Sequence, residues 1–147
     1  MSDRWKGVRE PVLEVVSAGA RATELRVNAA LDQLPIVQAA ARTLTRGRGF
    51  ALKEIAEVTH AIDEVGAMLI DAASIGSPLR CSFVVSSSVF LMTSTVTSRR
   101  CLPRHPGSRW RVLEALTDRV LTTALPGESE GESDIVVGFV KRRHEFT

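Results

Sequence analysis

Cysteine is scarce. Cys81 and Cys101 are the two in a chain of 147 residues, too few for the disulfide framework of a small secreted domain. The expected setting is therefore reduced and intracellular, cytoplasmic or nuclear. Long apolar runs are missing too. No stretch reaches the roughly 18 residues that cross a bilayer, and the charged start MSDRWKGVREP lacks the apolar centre of a signal peptide. No membrane partner is expected.

The patterns of common catalytic and metal sites are absent as well. There is no HExxH or CxxC, and His60, His105 and His144 stand far apart, which removes the usual zinc arrangements. No Gly-x-x-x-x-Gly-Lys-Ser/Thr loop occurs. In TRGRGFALK, Gly47-x-Gly49 lacks a third small residue, since position 52 is Leu52. The pair also follows a helical segment, whereas a dinucleotide loop follows a strand. Ser86-Ser87-Ser88 lies within a strand pattern without a nucleophile elbow. His60 shares a helical face with Asp63 or Glu64, a spacing that reads as a solvated ion pair rather than an acid–base couple. Cys81 opens an apolar strand and reads as packed; Cys101, beside Arg100, reads as an incidental thiol. No catalytic residue, metal or cofactor is expected, and the chain reads as a non-enzyme.

Acid is absent from Ala72 to Leu113, where Arg80, Arg99, Arg100, Arg104, Arg109 and Arg111 occur; acids then cluster in GESEGESD, Gly127 to Asp134. The formal net charge is only +2, so segregation of this kind can give one basic surface on a nearly neutral protein. The plainer alternative is a solvated loop with scattered arginines.

What is present describes one α/β domain, because 147 residues can bury a sizeable core. Residues 1–23 read as an N-terminal arm and 24–147 as the domain. ELRVN, Glu24 to Asn28, alternates as a strand does. Leu34, Val37, Ala40, Ala41 and Leu44 recur at helical spacing behind Asp32 and Pro35, and Gly47 and Gly49 punctuate the end. FALKEIA fits either a short strand or the start of a helix. Val58, Ala61, Ile62, Val65, Met68 and Leu69 mark an amphipathic helix ending before Gly76-Ser77-Pro78. Cys81 to Val96 is uncharged and β-branched, one long strand or a hairpin. A basic loop follows, then a helix over Arg109 to Leu125, and IVVGFVKRR closes the chain as a strand.

Several of these pieces carry a resemblance. Asp3-Arg4-Trp5, Val8 and Pro11, then Glu24-Leu25-Arg26-Val27, the helix LPIVQAAARTL, FALK and a second helix resemble the Alba family. The eukaryotic branch, related to ribonuclease P protein subunits, is the most similar. The resemblance implies a two-layer βαβαββ sandwich with a basic loop before the last strand; this chain is longer there and adds the expected helix as an insertion, the two together at 97–126. It places Lys53 at the family's second-strand lysine and Lys141 at the end of the closing strand. It also implies a homodimer, or a heterodimer with another Alba-like chain.

On this basis the expected function is non-catalytic binding of RNA, or DNA, through phosphates. Lys53 and Arg26 would lie on the core surface and Arg46 and Arg48 beside it. Arg99, Arg100, Arg104, Arg109 and Arg111 would form a clamp, arginine forks being suited to phosphate. Trp110 would stack on a base or anchor the inserted helix. The alternative is a degenerate Alba-like scaffold subunit acting through protein partners, which Asp32, Glu54 and Glu57 near the expected contact surface favour.

Overall fold

The computed structural model describes residues 21–100 and 107–144. Strand β1 (Ala22–Asn28) leads through a short 3-10 turn, Leu31–Gln33, into α1 (Leu34–Gly47) and then α2 (Leu52–Ala72). Next come β2 (Pro78–Val85), β3 (Val89–Ser98), α3 (Ser108–Leu116), β4 (Arg119–Pro126) and β5 (Ser133–Arg142). The five strands form one antiparallel sheet in the order β1-β2-β3-β5-β4. This is a mixed α/β fold with three α-helices among the described residues.

Two expectations about element order need correction. The expected strand at FALK is absent: Gly47 to Ala51 joins two helices directly. Gly49 takes a positive φ of 78°, cheap without a Cβ, so the chain reverses there as the glycines suggested. Phe50 then drops into the core, and Glu54 reaches back to accept the Ala51 N–H at 2.8 Å. That carboxylate satisfies one of the orphan donors of the helix start and commits Leu52 and Lys53 to α2. The second correction lies at Arg109 to Leu125, which divides into α3 and β4. Val120, Thr122 and Ala124 pair with Phe139, Val137 and Ile135, so strand alternation overrides the helical spacing. The βαβαββ arrangement is not what the described residues form.

Other expectations hold. Cys81 to Val96 is a hairpin, β2 and β3 in register from Arg80–Thr95 to Val85–Phe90. Ile55, Val58, Ile62, Val65, Leu69 and Ala72, spaced three and four apart, are the buried stripe of α2. Val37, Ala41, Ile62, Val65 and Leu69 are core, and Leu44 is packed against it half-buried. The sheet meets them with Phe83, Phe90 and Phe139, whose neighbouring ring centroids lie 6.0 and 5.9 Å apart. Each such side chain contributes about 1.5–3 kcal/mol by leaving water. Leu34, at the start of α1, lies against Gly66 so closely that a Cβ there would force its side chain to shift; the glycine lets α1 and α2 cross tightly.

The three helices pack on one face of the sheet, α2 over β3 and β5, α1 over β2, and α3 against α2 and β4. Strand alternation turns a second, smaller apolar cluster, Val89, Leu91 and Val140 with Val84 and Leu121, to the opposite face. Among the described residues β1 and β4 are the two edges.

Candidate functional site

The expected basic residues fall in separate parts of this fold. Arg26 is exposed on β1, opposite Arg80 of β2. These two share an open hollow of about 350 Å³ with Glu24, Ser82, Thr93 and Thr95, on the face away from the helices. Arg46 and Arg48 are exposed at the end of α1, and Lys53 is exposed in the first turn of α2 rather than on a strand. Arg99 and Arg100 follow β3, while Arg109 and Arg111 lie on α3. Arg104, Cys101, His105 and the arm residues Asp3, Arg4, Trp5, Val8 and Pro11 lie outside the described residues.

Three arginines of the acid-free stretch find acids supplied by other segments. Arg80 pairs with Asp134 at 3.5 Å and Arg99 with Glu132 at 3.6 Å, so the GESEGESD segment supplies both counterions. Arg109 meets Glu64 of α2 at 3.1 Å. Arg100 instead donates to the Asp71 carbonyl at the end of α2, and Ser98 Oγ donates to the next carbonyl, Ala72. Together they close two of the free carbonyls that end a helix. Trp110 is half-buried against the main core and anchors α3.

A second set of polar groups joins the helices to the sheet, and sequence reasoning missed it. Lys141 is buried in β5, donates to the Leu116 carbonyl at 2.9 Å and pairs with Glu57 at 3.4 Å. Glu54 is buried at the start of α2, where its second oxygen accepts the His144 N–H at 2.6 Å. A Lys141 facing inward is therefore a tie between helix and strand, not an outward contact. The one available signal was the Glu54-x-x-Glu57 pair on a helix with apolar residues between. Its partners sit about ninety positions away in sequence, beyond any local pattern.

His60 and Glu64 do meet, at 3.4 Å, but Glu64 is shared with Arg109. Asp63 accepts from Gln38 of α1 at 2.8 Å. These are links between helices. Cys81 is buried, accepts from Ser94 Oγ at 3.6 Å, and burial pushes its thiol up from an ordinary 9.0 to about 11. A thiol held protonated in this way is a poor nucleophile. No group of three or more potential metal ligands occurs among the described residues, and no described helix is long and apolar enough to cross a membrane.

The side of the molecule between the β1 edge and α1 is different. One open hollow there, about 590 Å³, is lined by Leu25, Val27, Gln33, Ile36 and Pro78. A second, about 470 Å³, is lined by Arg21, Thr23, Thr43, Leu44 and Arg48. Thr23, Leu25 and Val27 alternate onto the helix side of β1, so the two hollows follow one strand. Ile36 is 48% exposed and Leu31 63%. Arg21 and Arg48 have no side-chain hydrogen bond or ion pair with any described residue.

Comparison with solved structures gives a match to the crystal structure of the RsbU and RsbW domains of Rv1364c from Mycobacterium tuberculosis. The TM-score is 0.52 at 14% identity, over 86% of this chain and 35% of that one. At that identity the likeness shows the fold alone, and the chain spans about a third of the length of the protein it matches. No family model matches, and no curated protein matches. The finding overturns the Alba-like resemblance: the matching fold is that of an RsbU and RsbW domain structure. The RNA-binding, ribonucleoprotein and dimer expectations drawn from that resemblance are withdrawn with it. By fold, the chain is similar to part of a protein that carries RsbU and RsbW domains.

Proposed function

We propose that this chain is a non-catalytic interaction domain, a scaffold that acts through a protein partner in a larger assembly. The observation that carries the reading is how its polar groups are used. His60, Glu64 and Arg109 are bound to one another across two helices. Lys141, Glu57 and Glu54 hold the helix layer to the sheet. These groups serve contacts within the fold, and none of them lines the three hollows described above; general acid–base work needs a group facing its substrate.

The test has two arms. Purified chain is assayed for turnover of nucleoside triphosphates, phosphoesters and peptides. Separately, proteins that co-purify with it from its source are identified, purified, and recombined with it. The expected result is no turnover, and one recombined protein that binds at a fixed stoichiometry. Turnover abolished by His60→Ala or Glu64→Gln contradicts the proposal.

A further inference from the structure

The sheet edge at β1 and the helix beside it are mismatched in width. On α1, Ile36, Ala40 and Leu44 are spaced four apart and form one line along the helix. Ile36 stays 48% exposed, and Ala40 and Leu44 are only partly buried. Open hollows run between that line and the sheet edge, where Ile36 shares one with Leu25 and Val27, and Leu44 shares the other with Thr23 and Val85. β1 has no proline and no bulge across its seven residues, two devices that keep an edge from pairing, and the charges it carries, Glu24 and Arg26, lie on the face away from the helices. Along its roughly 23 Å the character of the groove changes. The end at Asn28 mixes Leu25, Val27, Ile36 and Pro78 with Arg26, Asn28 and Gln33; the end at Ala22 carries Arg21 and Arg48.

Resting on the scaffold reading above, we infer that the β1–α1 groove takes an extended segment of a partner protein as a sixth, antiparallel strand. The segment presents apolar side chains to Ile36 and Leu44 and carboxylates at its C-terminal end to Arg21 and Arg48. Addition of a strand to an open edge draws affinity from main-chain hydrogen bonds and specificity from alternate side chains. Antiparallel pairing continues the pattern of the whole sheet and sets the polarity, since a strand running against β1 finishes beside Arg21. Charge decides the occupant. Arg80, Arg99 and Arg109 already have acids, whereas Arg21 and Arg48 have none among the described residues, and a guanidinium pair of this kind suits carboxylates.

The probe is a ten-residue peptide of alternating valine and threonine, acetylated and amidated, with two aspartates at its C-terminal end. Two controls carry the aspartates at the N-terminal end, or two lysines at the C-terminal end. Binding is followed by amide chemical shifts of the full chain. The C-terminal aspartate peptide should bind at least tenfold tighter than either control and shift Ala22–Asn28 and α1. Arg21→Glu with Arg48→Glu should reverse its order with the lysine peptide. Ile36→Asp should weaken all three, with the melting temperature of each variant near that of the parent. Three results overturn the inference: no shift at β1 with any peptide, equal binding by all three, or parent self-association that occupies the groove and is lost in Ile36→Asp. A recombined partner that binds the parent and these variants equally also overturns the groove, yet leaves the scaffold reading standing. Absence of any recombined partner removes both.

Discussion

Two sets of arginines look alike in sequence and behave differently in the fold. Arg80, Arg99 and Arg109 come from a stretch without acids, yet each meets a carboxylate brought in from β5, the acidic segment or α2. Arg21 and Arg48 have Glu24 and Glu54 as acids near them in sequence, yet no described acid pairs with them. Segregation of charge along the chain is therefore no guide to segregation in space. The antiparallel sheet explains why. β5 returns beside β3, placing Asp134 opposite Thr97 and Ser133 opposite Ser98, so the acidic segment is folded onto the basic one. Among the described residues the β1 edge has no second neighbour, and Arg21 and Arg48 beside it have no acid partner.

The contrast between an internally satisfied body and an open edge can be broken at several points. The largest effect belongs to Val65→Asp, which sets an unpaired carboxylate among Val58, Ile62 and Leu69. A loss above about 3 kcal/mol is expected, seen as failure to melt cooperatively; a cooperative melt near that of the parent contradicts the packing. Lys141→Ala comes next. It leaves the Leu116 carbonyl and Glu57 without their partner and should cost about 2–3 kcal/mol by urea unfolding. A neutral result would mean that the tie between α2 and β5 is dispensable.

Cys81 sharpens the comparison through pH. Its folded value, raised by burial to about 11 from 9.0, means that unfolding favours loss of the proton. Its contribution to stability is therefore complete below pH 9 and falls as pH rises toward 11. The stability difference between the parent and Cys81→Val should be flat below pH 9 and decline across that window. In a Cys101→Ser background the folded chain should also resist a thiol reagent at pH 8. Rapid labelling would place Cys81 outside the core. The smallest effects are at the surface. Arg109→Ala should cost about 0.2–1 kcal/mol, as a half-exposed pair does. Arg48→Ala should stay within about 0.5 kcal/mol, because it has no partner to lose among the described residues. If Arg48→Ala proves as costly as Arg109→Ala, the difference between the two sets disappears.

Much of the body was legible from periodicity. The α2 stripe, the glycine reversal at Gly49, the hairpin and the closing strand all follow from local spacing and side-chain type. Phe50 to Lys53 was not, because Ala51 offers no side-chain cap. The signal that starts the helix is Glu54 reaching back, reinforced by His144 from the far end of the chain. Arg109 to Leu125 misled for another reason. Val112, Leu116 and Val120 keep helical spacing across a boundary that β5 imposes by pairing with Val120 to Ala124. The sites were least legible: ion pairs such as Arg99–Glu132 and ties such as Lys141–Glu57 link residues far apart in sequence. The groove at β1 depends on strand order, which no local pattern encodes.

Residue-resolved amide hydrogen exchange across β1 and β3, in the free chain, tests the open edge most directly. Alternate amides of Ala22–Asn28 should exchange quickly, those between them should be protected by β2, and all central amides of β3 should be slow. Added C-terminal aspartate peptide should slow the fast set and leave β3 unchanged. Uniform protection along β1 in the free monomer would show the edge already paired, and would contradict the account.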